Sequence, residues 1–185
     1  MLSASVPLGV IAGWLLGGRL ENLTRLDPRA VGVAAAAFLV RLLLYRSPGA
    51  AASPVLLMAA ELALYGGIFA AVAMHRRLRG ALLVGLGGGL NLLAIVLGGG
   101  RMPVWTAAAA RLPAAQRAQL AAGQLLTHVA MTHPAGLRWL GDVLATPAPL
   151  PAQVLSAGDL ILICGVVVFI ASAMTGPQPV KRSKR

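Results

Sequence analysis

Seven polar residues sit where their chemistry is hardest to explain away: Arg41, Glu61, Asn91, Arg101, His133, Asp142 and Asp159. Arg41, Glu61 and Asn91 fall inside apolar runs. A charged side chain in hydrocarbon costs at least ~2.5–3.5 kcal/mol on insertion scales, so such groups pair with one another or line a wet cavity. Several also have a plainer reading, though Glu61 cannot snorkel as far and needs a partner or a proton. Arg41 can snorkel along its own stem, Asn91 can bond across a helix contact, and Asp159 can cap a helix. As chemistry, Arg41 and Arg101 would grip an anion, while Asp142, Asp159 or His133 would act as acid, base or metal ligand. His128 and His133 with Asp142 match the spacing of no defined metal site and read as surface histidines. Cys164 is the single cysteine and lies in an apolar run, which excludes a disulfide framework and reads as a small core residue. No HExxH, phosphate loop or GxSxG is present. GLGGG at 85–89 is no dinucleotide fingerprint, because no strand precedes it.

The elements that must hold these residues follow from composition. The chain has 185 residues, 58% hydrophobic and only 11% charged, against about a quarter charged in a soluble domain. Apolar runs at about 2–18, 30–45, 55–74, 80–97 and 159–175 predict five membrane spans. The expected fold is therefore an all-α polytopic membrane helical bundle in one domain, 1–175. Residues 98–155 form an outer loop with short helices, an extracytoplasmic cap, and 176–185 a basic cytoplasmic tail. Within the cap, Ala114–Met131 is expected to be one helix ending at His133-Pro134, and Pro147, Pro149 and Pro151 to make a stiff extended segment. Ser156 and Asp159, three residues apart before an apolar run, mark a helix start. Gly9, Gly13 and Gly17 recur at four-residue spacing and suit close helix contact.

The net charge of +11 would suggest nucleic acid in a soluble protein, but no basic face interleaved with aromatics exists here. The cations instead set orientation. Ten Lys and Arg fall in 19–29, 75–79 and the tail, against five spread over the other connections. That places the N-terminus outside, the 98–155 region outside and the C-terminus in the cytoplasm. Arg41, Glu61, Asn91 and Asp159 then share the outer half of the bundle. The expected partners are the bilayer itself, anionic lipid at the tail, and either a helix–helix oligomer or a partner subunit. The sequence names no cofactor.

GGLNLLAIVLGGGRMPV (88–104), WLGDVLATPAPLP (139–151) and SAGDLIL (156–162) resemble a family of small bacterial membrane proteins, domain of unknown function 5317. The resemblance covers most of the chain and implies a multi-pass protein of the bacterial plasma membrane. It points at Asn91, Arg101, Pro103, Asp142 and Asp159 as pattern positions, and it assigns no substrate, cofactor or catalytic residue. Three functions remain open. The first is binding or transport of a small or lipid-linked anionic solute in a polar site opening outward. The second is an enzyme acting on a lipid-linked substrate at the outer leaflet. The third is a structural subunit docking through its glycine faces.

Overall fold

A computed structural model describes residues 2–47, 49 and 53–176. The basic residues of the expected tail, 181–185, lie outside the described residues. The chain is mostly helical: α1 (Leu2–Leu15), α2 (Pro28–Arg46), α3 (Pro54–Met74), α4 (Ala81–Leu97), α5 (Ala114–Ala121) and α6 (Ala157–Met174). Three of these, α2, α3 and α6, are long and apolar enough to cross a membrane. α1 and α4 are apolar but shorter, with 14 and 17 residues. At ~1.5 Å per residue they span roughly 21 and 26 Å, less than the ~30 Å hydrocarbon core.

Local chemistry sets the helix starts. Asp27 accepts a bond from the Arg29 N–H at 2.9 Å, with Pro28 in the first turn of α2. Ser53 accepts from the Leu56 N–H at the start of α3, again with proline following. Both place proline where its missing donor costs nothing. α6 opens with a full capping box: Ser156 Oγ accepts from the Asp159 N–H at 2.9 Å, and Asp159 Oδ2 accepts from the Ser156 N–H at 3.1 Å.

The apolar helices pack in the order α1, α6, α4, α3, α2. Glycines set how close they come. A Cβ on Gly87 would stand 2.6 Å from the Leu162 nitrogen, and one on Gly165 2.6 Å from that of Val84, so α4 and α6 meet backbone to backbone. Gly9 and Gly13 of α1 instead make room for the side chains of Ile170 and Met174 of α6. Gly17 does not belong to that face. It follows the helix at φ +77°, meets nothing, and serves the turn. α2 is the outlier, with only Ala30 buried along its length.

Residues 98–155 hold short helical turns at Ala108–Arg111 and Gly136–Leu140 besides α5, as the sequence suggests, but they hold strands as well. They contain four strands: β1 (Met102–Trp105), β2 (His128–Met131), β3 (Leu144–Ala145) and β4 (Val154–Leu155). β1 and β2 pair in parallel, with Met102 opposite His128, and α5 makes the crossover between them. Parallel strands require such a crossover. The single helix expected over 114–131 therefore ends at Ala121, where Gly123 turns the chain at φ +67°. The proline segment is no extended rod either. β3 and β4 pair antiparallel around it, and Thr146 closes the loop by donating to the Pro151 carbonyl at 2.7 Å and accepting from the Gln153 N–H at 3.0 Å.

Candidate functional site

The exit from α4 fixes the site. Gly98-Gly99-Gly100 reverses the chain, with Gly99 and Gly100 at φ +68° and +92° and the Gly100 N–H bonded to the Ile95 carbonyl at 2.9 Å. Only glycine enters that region cheaply. The turn lays β1 across the end of the helices, and β1 then holds a partner on each edge. On one side the Met102 N–H donates to the Thr127 carbonyl at 2.8 Å. On the other the Asp142 N–H donates to the Pro103 carbonyl at 2.8 Å, and the Asp142 carbonyl accepts from the Trp105 N–H at 3.0 Å. Gly141 is required beside it, since a Cβ there would stand 2.4 Å from the Pro103 oxygen. A four-residue strand thus aims Thr127, His128 and Asp142 at the helix ends.

Beneath them lies a chamber of about 210 Å³ to which four helices contribute: Arg41 from α2, Glu61 and Tyr65 from α3, Asn91 from α4 and Asp159 from α6. Thr127, His128 and Asp142 line it from the strand side. The same three residues also line a second cavity of about 500 Å³ between α5, β1 and the 152–154 segment, so they partition the two.

Two bonded groups furnish the chamber. In one, Arg41 Nε and Nη2 donate to Glu61 Oε1 at 3.1 and 2.8 Å, and the Tyr45 hydroxyl donates to the same oxygen. The Arg41 guanidinium carbon also sits 4.6 Å from the centre of the Tyr45 ring. In the other, Asn91 Nδ2 donates to Asp159 Oδ1 at 2.7 Å and Asn91 Oδ1 accepts from Ser156 Oγ at 2.7 Å. Asn91 therefore ties α4 to the capping box of α6. A Cβ on Gly158 would stand 2.0 Å from Asn91 Oδ1, so the approach depends on glycine there.

Asp142 belongs to neither group. It is 6% exposed, and its Oδ1 is the buried side-chain oxygen among the described residues without a hydrogen-bond partner. Burial, with the Asp159 carboxylate adding to it, pushes the Asp142 carboxyl up to about 8. Burial lowers His128 from its usual range. Their contact, Nε2 to Oδ2 at 3.6 Å, is too long for a hydrogen bond. The two shifts, Asp142 upward and His128 downward, both oppose an ion pair between them. His128 Nδ1 lies 2.6 Å from Thr127 Oγ1.

Of the seven residues singled out by sequence, Arg41, Glu61, Asn91, Asp142 and Asp159 line this chamber. Arg101 does not, and His133 lines a separate cavity with Arg138. His128, expected at the surface, is 40% exposed at its side chain and lines the chamber as well. Among the described residues, no three His, Cys, Asp or Glu side chains gather as a metal ligand set. Tyr45 and Tyr65 are the residues that sequence reasoning passed over. The chain has two tyrosines, each four residues after Arg41 or Glu61, and that spacing puts them on the same helix face.

Fold and site together define a membrane-type helical protein, with three helices able to cross a bilayer and a buried polar chamber at one end of them. The chain belongs to the family of unknown function DUF5317, whose model matches residues 26–171 and so contains every chamber residue. No curated protein and no solved structure matches it.

Proposed function

We propose that this is a multi-pass bacterial plasma-membrane protein of five spans, whose chamber lies in the outer half of the bilayer and binds a small cationic or donor-rich polar group. One observation carries the reading: polar residues from four separate helices converge on one cavity beneath a strand that adds an acid with an unpartnered oxygen. The two short helices reach as spans if the bilayer thins or their flanks snorkel, each at modest cost. The cation distribution supports the orientation, with the strand-bearing segment outside.

The sign of the ligand changes from the anion that the two arginines suggested. Arg41 is held by Glu61 and Tyr45, Arg101 is not in the lining, and desolvation disfavours the charged form of His128. The Arg41–Glu61 pair cancels, leaving Asp159 uncancelled by any cation of the lining and Asp142 with an unmatched oxygen. Complementarity then favours an ammonium.

Methylammonium titrated against purified protein tests this directly. The melting temperature of the wild type should rise with concentration as a ligand of the folded state requires, and Asp159→Asn should lose most of the rise. A rise produced by phosphate instead would contradict the reading.

A further inference from the structure

The four helices that line the chamber also line a further cavity along their length, of about 450 Å³. On α3 the two are consecutive turns of one stripe: Glu61, Leu64 and Tyr65 belong to the chamber, and Ile68, Ala71 and Val72 to the groove. The others follow the same pattern, with Arg41 then Ala34 on α2, Asn91 then Val84 on α4, and Asp159 then Val166 on α6. Residues three, four or seven apart share a helix face, so chamber and groove lie end to end on one side of the helix row.

Their chemistry is opposite. Every groove residue is apolar except His75 at the far end. That imidazole is engaged: Nε2 accepts from the Asp27 N–H at 3.0 Å, Nδ1 lies 3.1 Å from the Ala71 carbonyl, and Phe169 meets it edge-on at 5.8 Å between ring centres. The groove offers hydrocarbon contact and nothing more. A wholly polar solute would use only the chamber and a plain hydrocarbon only the groove. A molecule with a polar end and a chain uses both.

We propose that chamber and groove form one site for a membrane amphiphile with a primary ammonium head, the head against Asp159 and the free oxygen of Asp142 and the chain along α2 and α3. This rests on the ammonium reading of the chamber and extends it to a lipid class. Hydrocarbon contacts alone give no preference over surrounding lipid, because lipid tails are as apolar as the groove. Selectivity must therefore come from the head, while the groove supplies retention and register.

The test uses the full chain in nanodiscs of equal phosphatidylethanolamine and phosphatidylglycerol, released for native mass spectrometry. Wild type should retain phosphatidylethanolamine in preference to phosphatidylglycerol. Ala34→Trp and Val72→Trp, which plug the groove from different helices, should lose the retained lipid. Leu82→Trp, on α4 and 83% exposed outside the groove, should keep it. Asp159→Asn should retain the two lipids equally. Methylammonium should still raise the melting temperature of both plugged variants, which also shows that they fold. Equal retention of the two lipids by wild type, or full retention in both plugged variants, overturns the amphiphile site. If methylammonium stabilises wild type in that case, the chamber reading survives alone. If it does not, both fall.

Discussion

α4 with α6, and α2 with α3, each bring a polar group to the same chamber, yet they are fastened differently. The first contact is made of backbone and glycine, and its Asn91–Asp159–Ser156 network is anchored in a helix cap. The second has its glycine contact further along, Gly67 against Ala37 and the Val33 carbonyl, and at the chamber itself it is tied by Arg41, Glu61 and Tyr45 meeting at one carboxylate oxygen. A cap and a glycine contact are fixed by the chain itself. An ion pair is fixed only by its partner. At the chamber, the α4–α6 side is thus the wall set by backbone contact, and the α2 side the wall whose polar groups are held by one ion pair.

The largest expected effect is on the ion-paired wall. Glu61→Gln leaves the partly buried Arg41 charge without its carboxylate, a loss that costs up to ~3–5 kcal/mol where both groups are buried. Arg41→Met with Glu61→Leu should recover much of it, since the desolvation cost leaves with the attraction. A double-mutant cycle on thermal stability in detergent reads the coupling, and strictly additive effects would refute the pairing. On the wall set by backbone contact, Gly158→Ala forces a methyl onto Asn91 Oδ1, and overpacking of this kind costs ~1–3 kcal/mol. Asn91→Ala in the same chain should relieve part of that clash. No relief would place the strain elsewhere.

The smallest effect is a pH slope. Asp142 keeps its proton in the fold up to about 8, whereas its ordinary value is 3.8. Between those values the folded chain binds a proton that the unfolded chain has released, so stability is full below pH 4 and falls as pH rises through 8. His128, lowered by burial, acts in the opposite sense only at its own lower range. Melting temperature should therefore fall from pH 6.5 to 9 in wild type and be flatter in Asp142→Asn. An unchanged slope would show that Asp142 is not the group responsible.

The helical half of this account was legible in the sequence, and the strand half was not. Apolar runs located the long helices to within a few residues, and charges inside them marked Arg41 and Glu61, because hydrocarbon makes every buried charge conspicuous. The Ser156–Asp159 spacing announced its own cap. MPVW and HVAM are four residues each, one carries a proline, and neither alternates over enough length to signal a strand. Their pairing is created by a crossover through α5, and a tertiary contact of that kind leaves no local pattern. His128 shows the consequence: β2 places it in the chamber lining while 40% of its side chain stays exposed, where the sequence suggests a surface histidine on a helix.

The central claim is that the chamber opens to the outer side and prefers positive charge. Thr127, in the partition between the two cavities, tests both at once. Thr127→Cys in a Cys164→Ser background would be treated in intact cells with two membrane-impermeant methanethiosulfonates, one trimethylammonium and one sulfonate. Ala148→Cys, in the exposed hairpin loop, serves as the accessible reference. The account predicts that the position 127 thiol reacts before lysis, and faster with the cationic reagent than the ratio at position 148 explains. Reaction only after lysis, or a preference for the anionic reagent, would contradict it.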